Sequence, residues 1–286
     1  MKTIAILFHE QATGDPHSYI IGHLADFWRE AGLRVVYLFG TREFVPADLL
    51  FLHVDLSVVP HSYLEFADRY PRVVNRRITD IRKSTISNQL VGPDDAWSGA
   101  VIVKSNLNFG GGPERRVGRN WLERRSRTVR RLKAALERRF PSNYPSPHSK
   151  EYQLLPSLSD VPKRWFRLQD VVVERFLPEM ENGLYHVRID MALGGRSICT
   201  RLASDQPIIK AHNSTSAVDI EPDPRVQKWR KDLGLDYGKI DYTVVDGEPV
   251  LLDVNKTIGA SPSYRSSEDL LTRRRHLSEG IQQYLV

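Results

Sequence analysis

The chain has 286 residues, 41% of them hydrophobic and 27% charged, with a formal net charge of +6. That length allows a sizeable core and two or three small domains. The apolar run Ile4 to Phe8 is too short for a signal peptide or a membrane span, so a soluble cytoplasmic enzyme is expected. The single cysteine, Cys199, excludes an internal disulfide and a cysteine-based zinc site. Its strand-like surroundings predict a core thiol.

Residues 1–72 read as strand, helix, strand, strand, helix. The strands are expected over Thr3–Phe8, Arg34–Phe39 and Leu49–Leu56, the helices over Ser18–Glu30 and Tyr63–Arg69. This alternation predicts a small α/β domain with helices packed on a sheet. His9, Glu10 and Asp55 fall near strand ends, where open α/β sheets bind ligands; the plainer reading of each is a loop residue.

A second region spans residues 73–177. Its strand Ala100-Val-Ile-Val-Lys104 is apolar up to the lysine. A lysine there is desolvated unless it meets an anion, and a phosphate oxygen is a natural partner. The alternative is a lysine that snorkels to the surface. Gly110, Gly111 and Gly112 come next, letting backbone N–H groups approach phosphates without side-chain obstruction. From Pro113 to Phe140 eleven Lys or Arg stand against three Glu, a net of +8 that leaves −2 for the rest of the chain. Asn120 and Glu123 form a possible capping box. Leu122, Val129, Leu132, Leu136 and Phe140 form an apolar stripe at helical spacing. An amphipathic helix with an arginine-rich face over about 115–139 is expected. Three readings are open: a solvated face, a docking site for an acidic protein or polyanionic partner, or, least favoured for want of a binding motif, nucleic acid. Pro141 to Pro162 reads as a loop or linker.

The third region, 178–286, carries strands over Tyr185–Ala192 and Arg196–Leu202 and a closing helix from about Glu268, capped by Ser266 or Ser267. Between them Lys239 to Asn255 reads as a β-hairpin turning at Asp246-Gly247. Asp241 starts its first strand; Asp253 and Asn255 end the second, on one face by strand alternation. Three oxygen-bearing side chains thus converge, as a hard cation such as Mg²⁺ prefers. The plainer reading is a hairpin with polar ends.

Four pieces in order resemble the ATP-grasp superfamily, from Val73 to Ser261: Val73-Val-Asn75 with Thr79-Asp-Ile-Arg-Lys-Ser84; Ala100 to Lys104 with Asn108-Phe-Gly-Gly-Gly112; Val171-Val-Val-Glu-Arg-Phe-Leu177; and the hairpin ending Asp253-Val-Asn255. The resemblance implies an α/β (α+β) ATP-grasp fold behind a small N-terminal α/β domain. The expected divisions are 1–72, a small lobe at 73–177 with a basic helical insertion at about 113–162, and a C-terminal lobe at 178–286 bearing the metal site. It implies that Lys83 and Lys104 contact phosphate, that backbone near Glu174 and Phe176 reads adenine, and that Glu181, or else Glu179, accepts the ribose hydroxyls. Arg188 and Arg201 are implied beside the γ-phosphate and acyl phosphate, with Lys210 and Asn213 following as weaker substrate contacts. Mg²⁺, or Mn²⁺ in its place, is implied on Asp241, Asp253 and Asn255. The activity implied is an ATP-dependent ligation of a small-molecule or peptide carboxylate to an amine. The alternatives are an ATP-grasp-type kinase and a non-catalytic nucleotide-binding protein docking an acidic partner. The long basic insertion departs from the family pattern, and no substrate subgroup is matched.

Overall fold

The computed structural model of the protein describes residues 1–12, 14–118, 152–210, 212–260 and 268–285. The basic helix from Asn120 to Phe140, its capping box, the first half of the Pro141–Pro162 linker and the Ser266/Ser267 cap lie outside these residues. The chain forms two compact units: Met1–Ile81 with Leu177–Val286, and Arg82–Phe176. Both mix helices with sheets, so the α/β expectation holds.

The first unit opens with a four-stranded parallel sheet of order β2-β1-β3-β4, made of β1 (Thr3–Phe8), β2 (Arg34–Phe39), β3 (Leu49–Leu52) and β4 (Val73–Val74). Helix α1 (Ile20–Glu30) buries Ile21, Leu24, Ala25 and Trp28 against Ile4, Ile6 and Phe8. These positions recur at i, i+3, i+4 and i+7, the spacing of one helical face. The strand expected to reach Leu56 ends at Leu52, because the chain bends there: the Leu56 N–H donates to the Val54 carbonyl. Helix α2 covers His61–Ala67, two residues earlier than expected.

The second unit holds a three-stranded antiparallel sheet of order β6-β5-β7: β5 (Val101–Ser105), β6 (Gln153–Leu155) and β7 (Val171–Arg175). Val101, Val103, Val173, Leu158 and Trp165 make its core. The resemblance to the ATP-grasp pattern implies a lysine-bearing helix in the Thr79–Ser84 piece, but only its last two residues are helical, in the single turn α3 (Lys83–Ile86). The residues before it are extended, in the first unit: Asp80 bridges to Val58, and the Ile81 N–H donates to the Ser57 carbonyl. A second short helix, α4 (Gly112–Gly118), comes after the glycines.

The first unit resumes with an antiparallel sheet of order β11-β10-β9-β12-β13, with β8 paired to β9. Its strands are β8 (Glu179–Glu181), β9 (Leu184–Leu193), β10 (Arg196–Ser204), β11 (Ser216–Ile220), β12 (Tyr237–Val245) and β13 (Glu248–Asn255). The β12–β13 turn has φ of 52° at Asp246 and 78° at Gly247. Positive φ at both central residues matches a type I′ turn, whose twist suits a two-residue hairpin. Helix α5 (Pro224–Leu233) starts on an Asp223 cap and ends on left-handed Gly234. Helix α6 (Glu268–Ser278) completes the elements used below.

The two segments of this unit share one core. Leu193, Tyr237, Leu277 and Ile281 pack with Phe51 and Trp28, and the Trp28 indole N–H donates to the Ser278 carbonyl at 2.9 Å. Asn75, at φ 64° and wholly buried, latches the two segments. Its Oδ1 accepts the N–H groups of Asp236 and Tyr237, its Nδ2 donates to the Tyr237 carbonyl, and its own N–H donates to Asp236.

Candidate functional site

The hairpin brings its polar residues to one end. Asp241 is the register partner of Asp253, and Lys239 of Asn255. The register slips between Asp241 and Tyr242, so a bulge sits directly beside the carboxylates. Lys239 was not among the expected site residues. Its Nζ donates to both oxygens of Asp241, at 2.7 and 2.5 Å. Burial by itself lowers the Lys239 pKa, but Asp241, and then Asp253, raise it above the usual lysine value. The strand pattern Lys-Ile-Asp puts both side chains on one face, and that was the signal available.

Thr257, two residues beyond the hairpin, holds Asn255 in place. The Asn255 Oδ1 accepts the Thr257 N–H at 2.8 Å. The Thr257 hydroxyl donates to Asp55 at 2.9 Å, and so does the Tyr19 hydroxyl. Asp55, at a strand end of the N-terminal segment, is therefore brought to the end of the hairpin. His9 is instead buried and stacked on Tyr63, with burial lowering its pKa. Behind the hairpin Lys256 is wholly buried beside His53, whose imidazole burial drives down to about 3 and so keeps neutral.

A hard divalent cation fits this donor set: two carboxylates in register and an amide oxygen already fixed on its far side. An ion there would share the Asp241 carboxylate with the Lys239 ammonium. Among the described residues no three His, Cys, Asp or Glu side chains group together; the third donor of this set is the Asn255 amide.

Arg188 and Arg201 are register partners on β9 and β10. Tyr242 is opposite Arg188 while Asp241 is opposite Ile189, so by strand alternation the arginines leave the face opposite to Asp241. Both donate to Glu179, which also accepts the Val244 N–H at 2.9 Å. Burial works against the charge on Glu179, but hydrogen bonds from Arg188 and Val244, with the two guanidinium charges, hold its pKa below the usual value. Glu181 is exposed and pairs with Arg201 at 2.7 Å. Cross-strand geometry thus turns both arginines, expected beside the γ-phosphate and acyl phosphate, to Glu179. Cys199 is buried and its thiol is pushed up to about 11 by burial, as a core thiol should be. Lys210 and Asn213 close a turn on each other, the Lys210 N–H donating to Asn213 Oδ1.

In the second unit Lys83 and Lys104 are both buried. The Lys104 ammonium meets the Glu174 carboxylate at 2.5 Å, and Glu174 is 2% exposed. The anion facing Lys104 is therefore Glu174, two positions along the paired strand from its register partner Val172. The Phe176 N–H, expected to read adenine, donates to the Ala100 carbonyl. The glycine segment turns tightly, with positive φ at Phe109, Gly110 and Gly111, and leaves the Phe109 ring 65% exposed. Arg115 donates to the Gly110 carbonyl at 2.6 Å.

A separate hollow of about 410 Å³ in the first unit is lined in part by Cys199, Asp219, Glu221, Gln227, Arg273 and His276. It contains none of the expected residues, and its arginine is held by Asp219 and Thr200.

No protein-family model matches the chain, and no curated protein matches it. Several solved structures are similar in course over nearly the whole length. D-cycloserine synthetase DcsG is 12% identical, with 97% of this chain and 99% of that one covered and a TM-score of 0.47. A RimK domain protein ATP-grasp from Sphaerobacter thermophilus is 10% identical, with 99% and 98% covered and a TM-score of 0.49. The D-alanine–D-alanine ligase of Bacillus anthracis complexed with ATP is 14% identical, with 99% and 96% covered and a TM-score of 0.46.

Proposed function

We propose that the chain is an ATP- and Mg²⁺-dependent ligase that activates a carboxylate as an acyl phosphate and joins it to an amine. The observation that carries this reading is the hairpin end, where Asp241 and Asp253 stand in register with Lys239 and Asn255 beside them. Asp241, Asp253 and Asn255 would hold Mg²⁺, with Mn²⁺ as its substitute. When bound, the ion neutralises phosphate charge and charge developing on the transferred phosphoryl group. Lys239 supplies a further fixed positive charge at the same end.

In the second unit Lys104 and Lys83 are assigned to the phosphates, and Gly110 to Gly112 to backbone contacts over them. For Lys104 this requires its ammonium to be shared with Glu174. Glu181 is assigned to the ribose. Arg188 and Arg201 take a positioning role: through Glu179 they tie β8, β9 and β10 to Val244 of the metal-bearing hairpin.

The chemistry balances in two steps. A carboxylate oxygen of the substrate attacks the γ-phosphorus of ATP and ADP leaves. The amine then attacks the acyl carbon, phosphate departs with the bonding pair, and the amine nitrogen loses a proton. Substrates of small-molecule or peptide size suit this chemistry.

The test is phosphate release from ATP across a panel of amino acids, dipeptides and carboxylic acids, with mass analysis of products. ADP and phosphate should form only when a carboxylate and an amine are both present, and Asp253→Ala or Asn255→Ala should abolish turnover with the fold intact. A phosphorylated product without condensation would mean a kinase. Unchanged affinity for a non-hydrolysable ATP analogue in both variants, with and without Mg²⁺, would remove the hairpin from the nucleotide site.

A further inference from the structure

Three side chains outside the proposed ligand set form a relay that ends on Asn255: Tyr19 touches Asp55, Asp55 touches Thr257, and Thr257 touches Asn255. Its Oδ1 accepts the Thr257 N–H at 2.8 Å, and the Thr257 Oγ1 lies 3.2 Å from the same oxygen. That hydroxyl also lies 2.9 Å from Asp55 Oδ1, while the Tyr19 hydroxyl donates to Asp55 Oδ2 at 2.9 Å. Thr257 is 3% exposed, so bulk water does not compete for its proton.

A hydroxyl has one proton and two lone pairs. The Thr257 proton therefore goes either to the neutral amide oxygen of Asn255 or to the carboxylate of Asp55. Charge-assisted hydrogen bonds are about twice as strong as neutral ones, so Asp55 takes it, at the shorter of the two distances. Asn255 Oδ1 then carries only the backbone N–H, and its second lone pair stays open. Without Asp55 the hydroxyl would rotate and spend its proton on that lone pair.

We propose that Asp55 is a positioning residue for the hairpin's cation site: by taking the Thr257 hydroxyl proton it keeps the Asn255 side-chain oxygen available to a divalent ion. This rests on the cation site proposed above. It gives the N-terminal segment a part in metal binding through a contact between residues 202 positions apart. Groups behind first ligands commonly change metal affinity by 10- to 100-fold.

The experiment measures Mn²⁺ binding to the full chain with a non-hydrolysable ATP analogue, by the EPR signal of free Mn²⁺. Melting temperatures are recorded for every variant. Asp55→Ala should weaken Mn²⁺ binding about tenfold. Thr257→Val, which removes the competing proton, should bind within about twofold of the wild type. The double variant Asp55→Ala/Thr257→Val should regain most of the lost affinity. Restoration by a second deletion is not expected if Asp55 only supports the fold. Wild-type affinity in Asp55→Ala, or no recovery in the double variant, overturns the positioning role alone. Absence of Mn²⁺ binding by the wild type, or wild-type binding by Asp253→Ala, overturns the cation site and this inference together.

Discussion

Substituting Lys104 by Met separates the two things this lysine does. The side chain is 7% exposed and its ammonium sits 2.5 Å from Glu174, itself 2% exposed. Met preserves most of the apolar stem, so β5 should still pack. The charge does not, and Glu174 is left as a buried carboxylate that has lost its cation. Removing one partner of a buried pair costs about 3–5 kcal/mol. The variant should therefore unfold at distinctly lower urea, followed by the fluorescence of Trp97 and Trp165 in the same unit. Removing both charges in Lys104→Met/Glu174→Gln should recover most of that stability, because replacing a whole buried pair is often neutral. Nucleotide affinity should not recover. Titration calorimetry with a non-hydrolysable ATP analogue should show at least about a tenfold loss, about 1.4 kcal/mol, in the double variant. Wild-type stability in Lys104→Met would refute the reasoning about the pair. Wild-type affinity in the stable double variant would remove Lys104 from the phosphates.

Two further expectations concern the first unit. Asp190 on β9 is wholly buried, and burial pushes its carboxyl from 3.8 to about 6, with the Arg230 charge acting the other way. A raised native pKa means that the stability held below pH 3.8 is lost as pH rises through about 6. A gap of about two units is worth about 3 kcal/mol. Asp190→Asn should thus gain stability over the wild type between pH 4 and pH 7 and keep a constant advantage above that, read from urea unfolding; a difference independent of pH would sink the idea. At the Asn75 latch, Asn75→Ala removes three side-chain hydrogen bonds and places a Cβ residue less tolerant of this backbone at φ 64°. It should cost about 3 kcal/mol, and Asn75→Gly, which accepts that φ, should cost about 1 kcal/mol less. Equal loss in the two variants would show that backbone strain is not part of the effect.

Much of the hairpin was legible because its signals are local. Period-two alternation and the Asp246-Gly247 turn set the register from Val245–Glu248 to Tyr242–Leu251, but that register continued would put Asp241 opposite Leu252; the bulge that moves it to Asp253 has no such local signal. The strand Thr3–Phe8 shows as a short apolar run and the buried face of α1 as helical spacing, both equally local. The partners of the charged groups were not legible in this way. Lys104 and Glu174 look alike in sequence whether they face a ligand, water or each other, and only the β5–β7 register makes them a buried pair. Arg188 and Arg201 were visible as neighbours across a turn. Their direction depends on which face β12 presents to β9, and that is decided by how the sheet assembles. Asp55 and Thr257 lie 202 positions apart, so nothing in either neighbourhood announces the other. Secondary structure and hairpin register arise from interactions within a few residues and can be read along the chain. The choice of counter-ion for a buried charge is a competition among all groups that folding brings within reach, and it is settled only when the strands have packed.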